Sequence, residues 1–141
     1  MIKIFPGSIG YLELGYALLN EMPVAILQNR AGRFIKPDTT STSLAANVAL
    51  PEDTRISITN TEAPDGYPIS SFTWILVFKD QSYKKRPEGK ARELAKLLLW
   101  MVDEAQKYME PLHYAPLSEE ATKKARERIK SITYNGRPVL K

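Results

Sequence analysis

The chain has 141 residues, room for one domain or two small lobes, and its 43% hydrophobic and 26% charged content excludes a disordered polymer. Twenty basic residues against sixteen acidic ones leave a net charge of +4. The C-terminal bases are interspersed with acids and lack aromatic interleaving, which reads as solvated helix faces and argues against a nucleic-acid footprint.

In chain order, Met1-Ile-Lys-Ile-Phe-Pro carries one lysine and breaks at Pro6 before an apolar core can form, so no export signal is expected there. A Pro6-Gly7 turn then leads into a predicted short strand, Ile9-Gly-Tyr-Leu, and a helix over about Glu13 to Asn20 that Pro23 ends. Val24 to Gln28 and Arg33-Phe-Ile-Lys flank Asn29-Arg-Ala-Gly, a hairpin pattern. Pro37-Asp-Thr-Thr-Ser supplies N-cap candidates for a helix through Leu44-Ala-Ala-Asn-Val, closed by Pro51. A weak strand, Ile56-Ser-Ile-Thr, precedes the turn-rich Asn60 to Pro68.

From Phe72 to Phe78 the side chains are Phe, Thr, Trp, Ile, Leu, Val and Phe, so both faces of a pleated strand are apolar. That pattern predicts a central strand covered on both sides, in an α/β arrangement. The charged stretch from Lys79 to Glu88 is expected to be a mobile linker. Between Pro87 and Tyr108 a helix is predicted whose middle, Leu97-Leu-Leu-Trp-Met-Val, is apolar nearly all round and is therefore expected to be buried on most sides. A second helix, Leu117 to Ile132, carries a narrow stripe of Leu117, Ala121, Ala125, Ile129 and Ile132, with Ser118-Glu-Glu as its capping start. The tail from Tyr134 reads as a turn with a short extended end.

Catalytic inventory is thin. No run approaches the about 18 apolar residues of a membrane span, and with no cysteine there is neither a disulfide nor a thiolate metal site. The single histidine, His113, lies between prolines and is read as structural or solvent-exposed, since alone it assembles no zinc set. Ser41, Ser43, Ser57, Ser70 and Ser71 include no nucleophile elbow. Pro6-Gly-Ser-Ile-Gly is a turn entering a strand and does not aim N–H groups at a phosphate. The chain is therefore not expected to be an enzyme, and no catalytic, metal or cofactor residue is assigned.

Four blocks carry a resemblance. Pro6-Gly-Ser-Ile-Gly-Tyr-Leu-Glu-Leu-Gly-Tyr-Ala, Leu27-Gln-Asn-Arg-Ala-Gly-Arg-Phe-Ile-Lys-Pro, Tyr67-Pro-Ile-Ser-Ser-Phe-Thr-Trp-Ile-Leu-Val and Leu112-His-Tyr-Ala-Pro-Leu-Ser together resemble the C-terminal half of the substrate-binding proteins of bacterial phosphate ABC transporters. The resemblance implies part of a type II periplasmic-binding-protein fold, pieces of two lobes joined through a hinge strand. Residues 1–66 would be part of the second lobe, and residues 67–141 the hinge-crossing strand plus C-terminal helices of the first. The family holds phosphate with a Thr-Phe turn, a serine, an aspartate and an Arg-x-x-x-Ser-Gly-Thr segment. None of these matches a position here, and Met1-Ile-Lys falls where the family is still inside a helix. No ligand-binding residue is carried over, and Ser70 and Ser71, near the expected hinge, are read as hydroxyls satisfied by backbone.

The resemblance thus implies a component of inorganic phosphate uptake that needs a partner chain, either the N-terminal half of a phosphate-binding protein or a second copy of itself. Phosphate would bind only in the assembled complex, and the complex would meet an ABC transporter permease outside the cytoplasmic membrane, in the periplasm or extracellularly. The alternative is a self-associating structural remnant without a ligand.

Overall fold

A computed structural model describes residues 4–140, so the Met1-Ile-Lys expectation lies outside the described residues. The chain divides into two compact units. The first takes in the described residues up to Val48, with Ile58–Ser71 and Tyr108–Pro116; the second takes in Ala49–Ser57, Phe72–Lys107 and the chain from Leu117 onward.

In the first unit, helix α1 spans Leu14–Leu19 and buries Gly15 and Ala17. Strands β1 (Leu27–Gln28) and β2 (Phe34–Ile35) pair antiparallel with Leu27 opposite Ile35, as the turn residues between them predict, although the ladder is shorter than expected. The tight turn forms because Gly32 takes a φ of +78°, and its N–H donates to the Asn29 carbonyl at 2.9 Å. Helix α2 spans Thr39–Ala45 and opens on a capping box. The Asp38 carboxylate accepts from the Ser41 N–H at 2.7 Å, while the Ser41 hydroxyl accepts from the Asp38 N–H at 3.1 Å. Ala45 and Ile58 are buried, and Gly66 packs so near α2 that a Cβ on it would lie 3.1 Å from the Ala45 Cα.

The second unit is built on α3 (Glu88–Val102) and α4 (Glu119–Lys130), which pack together. The Ser118 hydroxyl caps α4 by accepting from the Ala121 N–H at 3.2 Å. Ala91, Ala95 and Leu98 of α3 meet Ile129, Ile132 and Val139 in one cluster. Ala residues on α3 allow a close approach, and the predicted stripe of the last helix supplies the opposing face. Strands β3 (Thr133–Tyr134) and β4 (Arg137–Pro138) form a hairpin around Asn135-Gly136, both at positive φ. The sequence predicts only a turn and a short extended end there.

Five expectations are corrected. Ile9–Leu12 and Ile56–Thr59 form no strand among the described residues, and Ile9 and Tyr11 are almost fully exposed. Phe72 to Phe78 pairs with no neighbouring strand among the described residues, because a ladder needs a partner backbone and none runs alongside. The α3 midsection is covered on one face only, with Leu97 51% and Trp100 44% exposed. Finally, the expected mobile linker after Phe78 is tied down: Asp80 bridges to Thr133, and residues 83–85 form a 3-10 turn.

Candidate functional site

Three constellations stand out, one in the first unit and two in the second. In the first unit Asn29 is buried and its amide organises the loop that follows Asn60. The Asn29 Nδ2 donates to the Pro64 carbonyl at 2.9 Å and the Gly66 carbonyl at 3.1 Å, and its Oδ1 accepts from the Arg33 N–H at 3.1 Å. The Arg30 N–H donates to the Asn60 Oδ1 at 2.7 Å, so the hairpin turn and the loop hold each other. A paired Arg33–Asp65 contact, 2.7 Å, lies on the exposed rim and adds little in water.

In the second unit Asp80 is a polar clasp. Its carboxylate accepts from the Ser82 hydroxyl at 2.5 Å, the Ser82 N–H at 2.9 Å, the Gly136 N–H at 2.9 Å and the Thr133 hydroxyl at 3.0 Å. The Ser82 hydroxyl first, then the Gly136 N–H and the Ser82 N–H, hold this carboxyl far below the ordinary range. Next to it the buried Gln81 donates its amide to the Phe78 carbonyl at 2.5 Å and accepts from Arg86 at 2.7 Å.

The third constellation is apolar. A groove of about 230 Å³ in the second unit runs between residues 72–77 and the faces of α3 and α4, with Trp74, Ile75, Met101, Ala125 and Ile129 among its walls. The run is only partly covered: Trp74 is 45%, Ile75 54%, Leu76 93%, Val77 40% and Phe78 66% exposed. Phe72 and Trp74 stack edge to face, with ring centroids 5.6 Å apart.

The residues weighed in the sequence do not converge. His113 sits in the first unit with φ +62° as the left-handed cap of the turn Glu110–Leu112. Ser41 is spent on capping α2. Ser70 is buried with its hydroxyl donating to the Tyr67 carbonyl at 2.9 Å, and Ser71 is exposed. Pro6-Gly-Ser is a turn in which Gly7 has φ +79° and the Ser8 hydroxyl donates to the Phe5 carbonyl, without the strand expected to follow. Arg30, Arg33, Arg55, Arg92, Arg126 and Arg128 each pair with an acid of their own unit. Among the described residues no group of His, Cys, Asp and Glu is placed to hold a metal, and no helix is long and apolar enough to cross a membrane. The Asn29 and Asp80 constellations were missed in the sequence. Asn-Gly at 135–136 was the one local signal that pointed to the second.

No family model matches the chain. Among curated proteins it is similar to a phosphate-binding protein PstS of Xylella fastidiosa strain 9a5c, 35% identical over 127 residues, which takes in 86% of this chain and 33% of the relative. It is 31% identical over 125 residues to a protein of the same name from Methanocaldococcus jannaschii, covering 82% of this chain and 31% of that one. A third, from Pasteurella multocida, is 31% identical over 127 residues, 88% of this chain and 36% of its own. The chain therefore spans about a third of the length of the relatives it matches. All three carry the name of a binding protein, not of an enzyme.

Proposed function

Because this chain is related to the phosphate-binding proteins along more than four-fifths of its length, we propose that it is a non-enzymatic component of inorganic phosphate binding for uptake through an ABC transporter. It corresponds to the C-terminal part of a type II periplasmic binding protein. Residues 1–66 contribute to the second lobe, and residues 67–141 supply the hinge-crossing segment and C-terminal helices of the first. The main phosphate ligands reside on companion polypeptide, and the assembled receptor works outside the cytoplasmic membrane against a permease.

The sequence similarity is the observation that carries this reading. Two further findings support it. The first compact unit holds most of residues 1–66 and the second most of residues 67–141. Six arginines, three of them in the second unit's α3 and α4, are each engaged by an acid of their own unit.

Isothermal titration of inorganic phosphate tests it, first into the purified chain, then into the chain mixed with the part of the Xylella fastidiosa relative outside the matched segment. Heat of binding is expected only from the mixture. Tight binding by the chain alone would place the anion site within it and overturn the assignment of ligands. Absence of binding in both favours the second reading, a self-associating protein without a ligand, to which the exposed run at 72–78 also points.

A further inference from the structure

We propose that two copies of this chain pair through residues 72–78, running antiparallel about a two-fold axis at Ile75. The backbone of this run joins no strand among the described residues, while its side chains are aromatic or aliphatic apart from Thr73. A helix or a small apolar ligand would cover those side chains and leave the N–H and C=O groups unpaired. Another extended strand pairs those groups, apart from the Phe78 carbonyl, which already accepts from the Gln81 amide, and sets its own side chains beside them.

The edge that is open follows from the neighbouring bridge. The Thr133 N–H donates to the Lys79 carbonyl, and the Gln81 N–H donates to the Thr133 carbonyl, both at 2.8 Å, so residues 79 and 81 turn their backbone groups toward β3. Strand alternation carried back from there turns the groups of Phe72, Trp74 and Leu76 to the opposite edge. On that edge an antiparallel pair centred at Ile75 hydrogen-bonds Trp74 to the partner copy's position 76 and leaves the two Ile75 residues facing each other as a non-hydrogen-bonded pair.

Charge selects both occupant and direction. From Phe72 to Phe78 there is no charged side chain and no proline, so the run has none of the devices that natural edges use to refuse a second copy. A parallel, in-register pair would set Lys79 against Lys79 and Asp80 against Asp80. The antiparallel pair sets each Lys79 opposite a Ser71. The exposed side chains from Trp74 to Phe78 amount to on the order of 500 Å² per copy, short of the about 800 Å² per partner of a stable interface, so the dimer is expected to be in exchange with monomer.

The test uses the absence of native cysteine. Ile75→Cys, Leu76→Cys and Trp74→Cys are oxidised mildly without phosphate, alongside light scattering of the unmodified chain as a function of concentration. The non-hydrogen-bonded pair brings Cα atoms to about 4.5 Å, within disulfide reach, so Ile75→Cys is expected to cross-link at least about tenfold faster than the other two. The unmodified chain is expected to shift from monomer to dimer, and Leu76→Lys with unchanged circular dichroism to remain monomeric. Equal cross-linking at the three positions, larger assemblies, or a monomer at about 100 μM would overturn the proposal. So would amides of residues 72, 74 and 76 that gain exchange protection only when the complementary part of the Xylella fastidiosa relative is added. Should a cysteine variant fail to fold, scattering of the unmodified chain still decides. No phosphate enters the measurement, so failure here leaves the uptake reading standing.

Discussion

The Asp80 carboxylate accepts the Thr133 hydroxyl at 3.0 Å across 53 positions of sequence, which fastens the segment after the apolar run to the hairpin that ends the chain. Its folded carboxyl is held below the ordinary value by the Ser82 hydroxyl and the Gly136 and Ser82 N–H groups. A depressed carboxyl stabilises the fold above its unfolded pKa, near 4, and that contribution is lost as the pH falls through the folded value. Thermal unfolding followed from pH 7 down to about pH 2 is therefore expected to show the unmodified chain losing its advantage over Asp80→Asn below about pH 4. A difference between the two proteins that does not change with pH would contradict the clasp.

Asn29→Ala removes the donor shared by the Pro64 and Gly66 carbonyls and the acceptor for the Arg33 N–H. Buried groups left without partners cost about 1–3 kcal/mol. Urea unfolding is expected to register a loss in that range. Asn29→Asp is expected to do no better, because its carboxylate faces carbonyl oxygens.

Neighbours on α3 are expected to behave oppositely. Leu98 is 7% exposed and sits in the cluster with Ile129 and Val139, so Leu98→Ala is expected to cost about 2–5 kcal/mol. Leu97 is half exposed, and Leu97→Ala is expected to stay within about 0.5 kcal/mol. Equal losses in chemical denaturation would mean that α3 is covered on both faces.

Gly66→Ala introduces a methyl group about 3.1 Å from the Ala45 Cα and 3.1 Å from the Ala63 Cβ. Backbone does not yield as a flexible side chain does, and overpacking of this kind costs about 1–3 kcal/mol. The denaturation midpoint is expected to fall, with faster amide exchange along α2.

What was legible in the sequence was what is decided locally. Asp38 and Ser118 announce α2 and α4 because a cap bonds within three residues, and Asn29-Arg-Ala-Gly announces the β1–β2 turn for the same reason. The Ile129 and Ile132 stripe, at and just past the end of α4, was readable from its period. The run from Phe72 shows the limit. Its residues have strand propensity, yet a strand is a relation to a second backbone, and the side chains do not say which backbone that is. Likewise Asp80 and Thr133, or Asn29 and Gly66, are polar residues far apart in the chain, and no spacing rule links them. The four blocks of resemblance identified the relatives, but they gave no residue of an anion site.

The two units are threaded through one another along the polypeptide: each is assembled from three separate stretches, with exchanges after Val48, Ser57, Ser71, Lys107 and Pro116. No single cut separates the two units from each other. A nick after Ser71, for example, would strip the first unit of its Tyr108–Pro116 piece and the second of its Ala49–Ser57 piece. Neither unit is one continuous segment that a single excision could lift out.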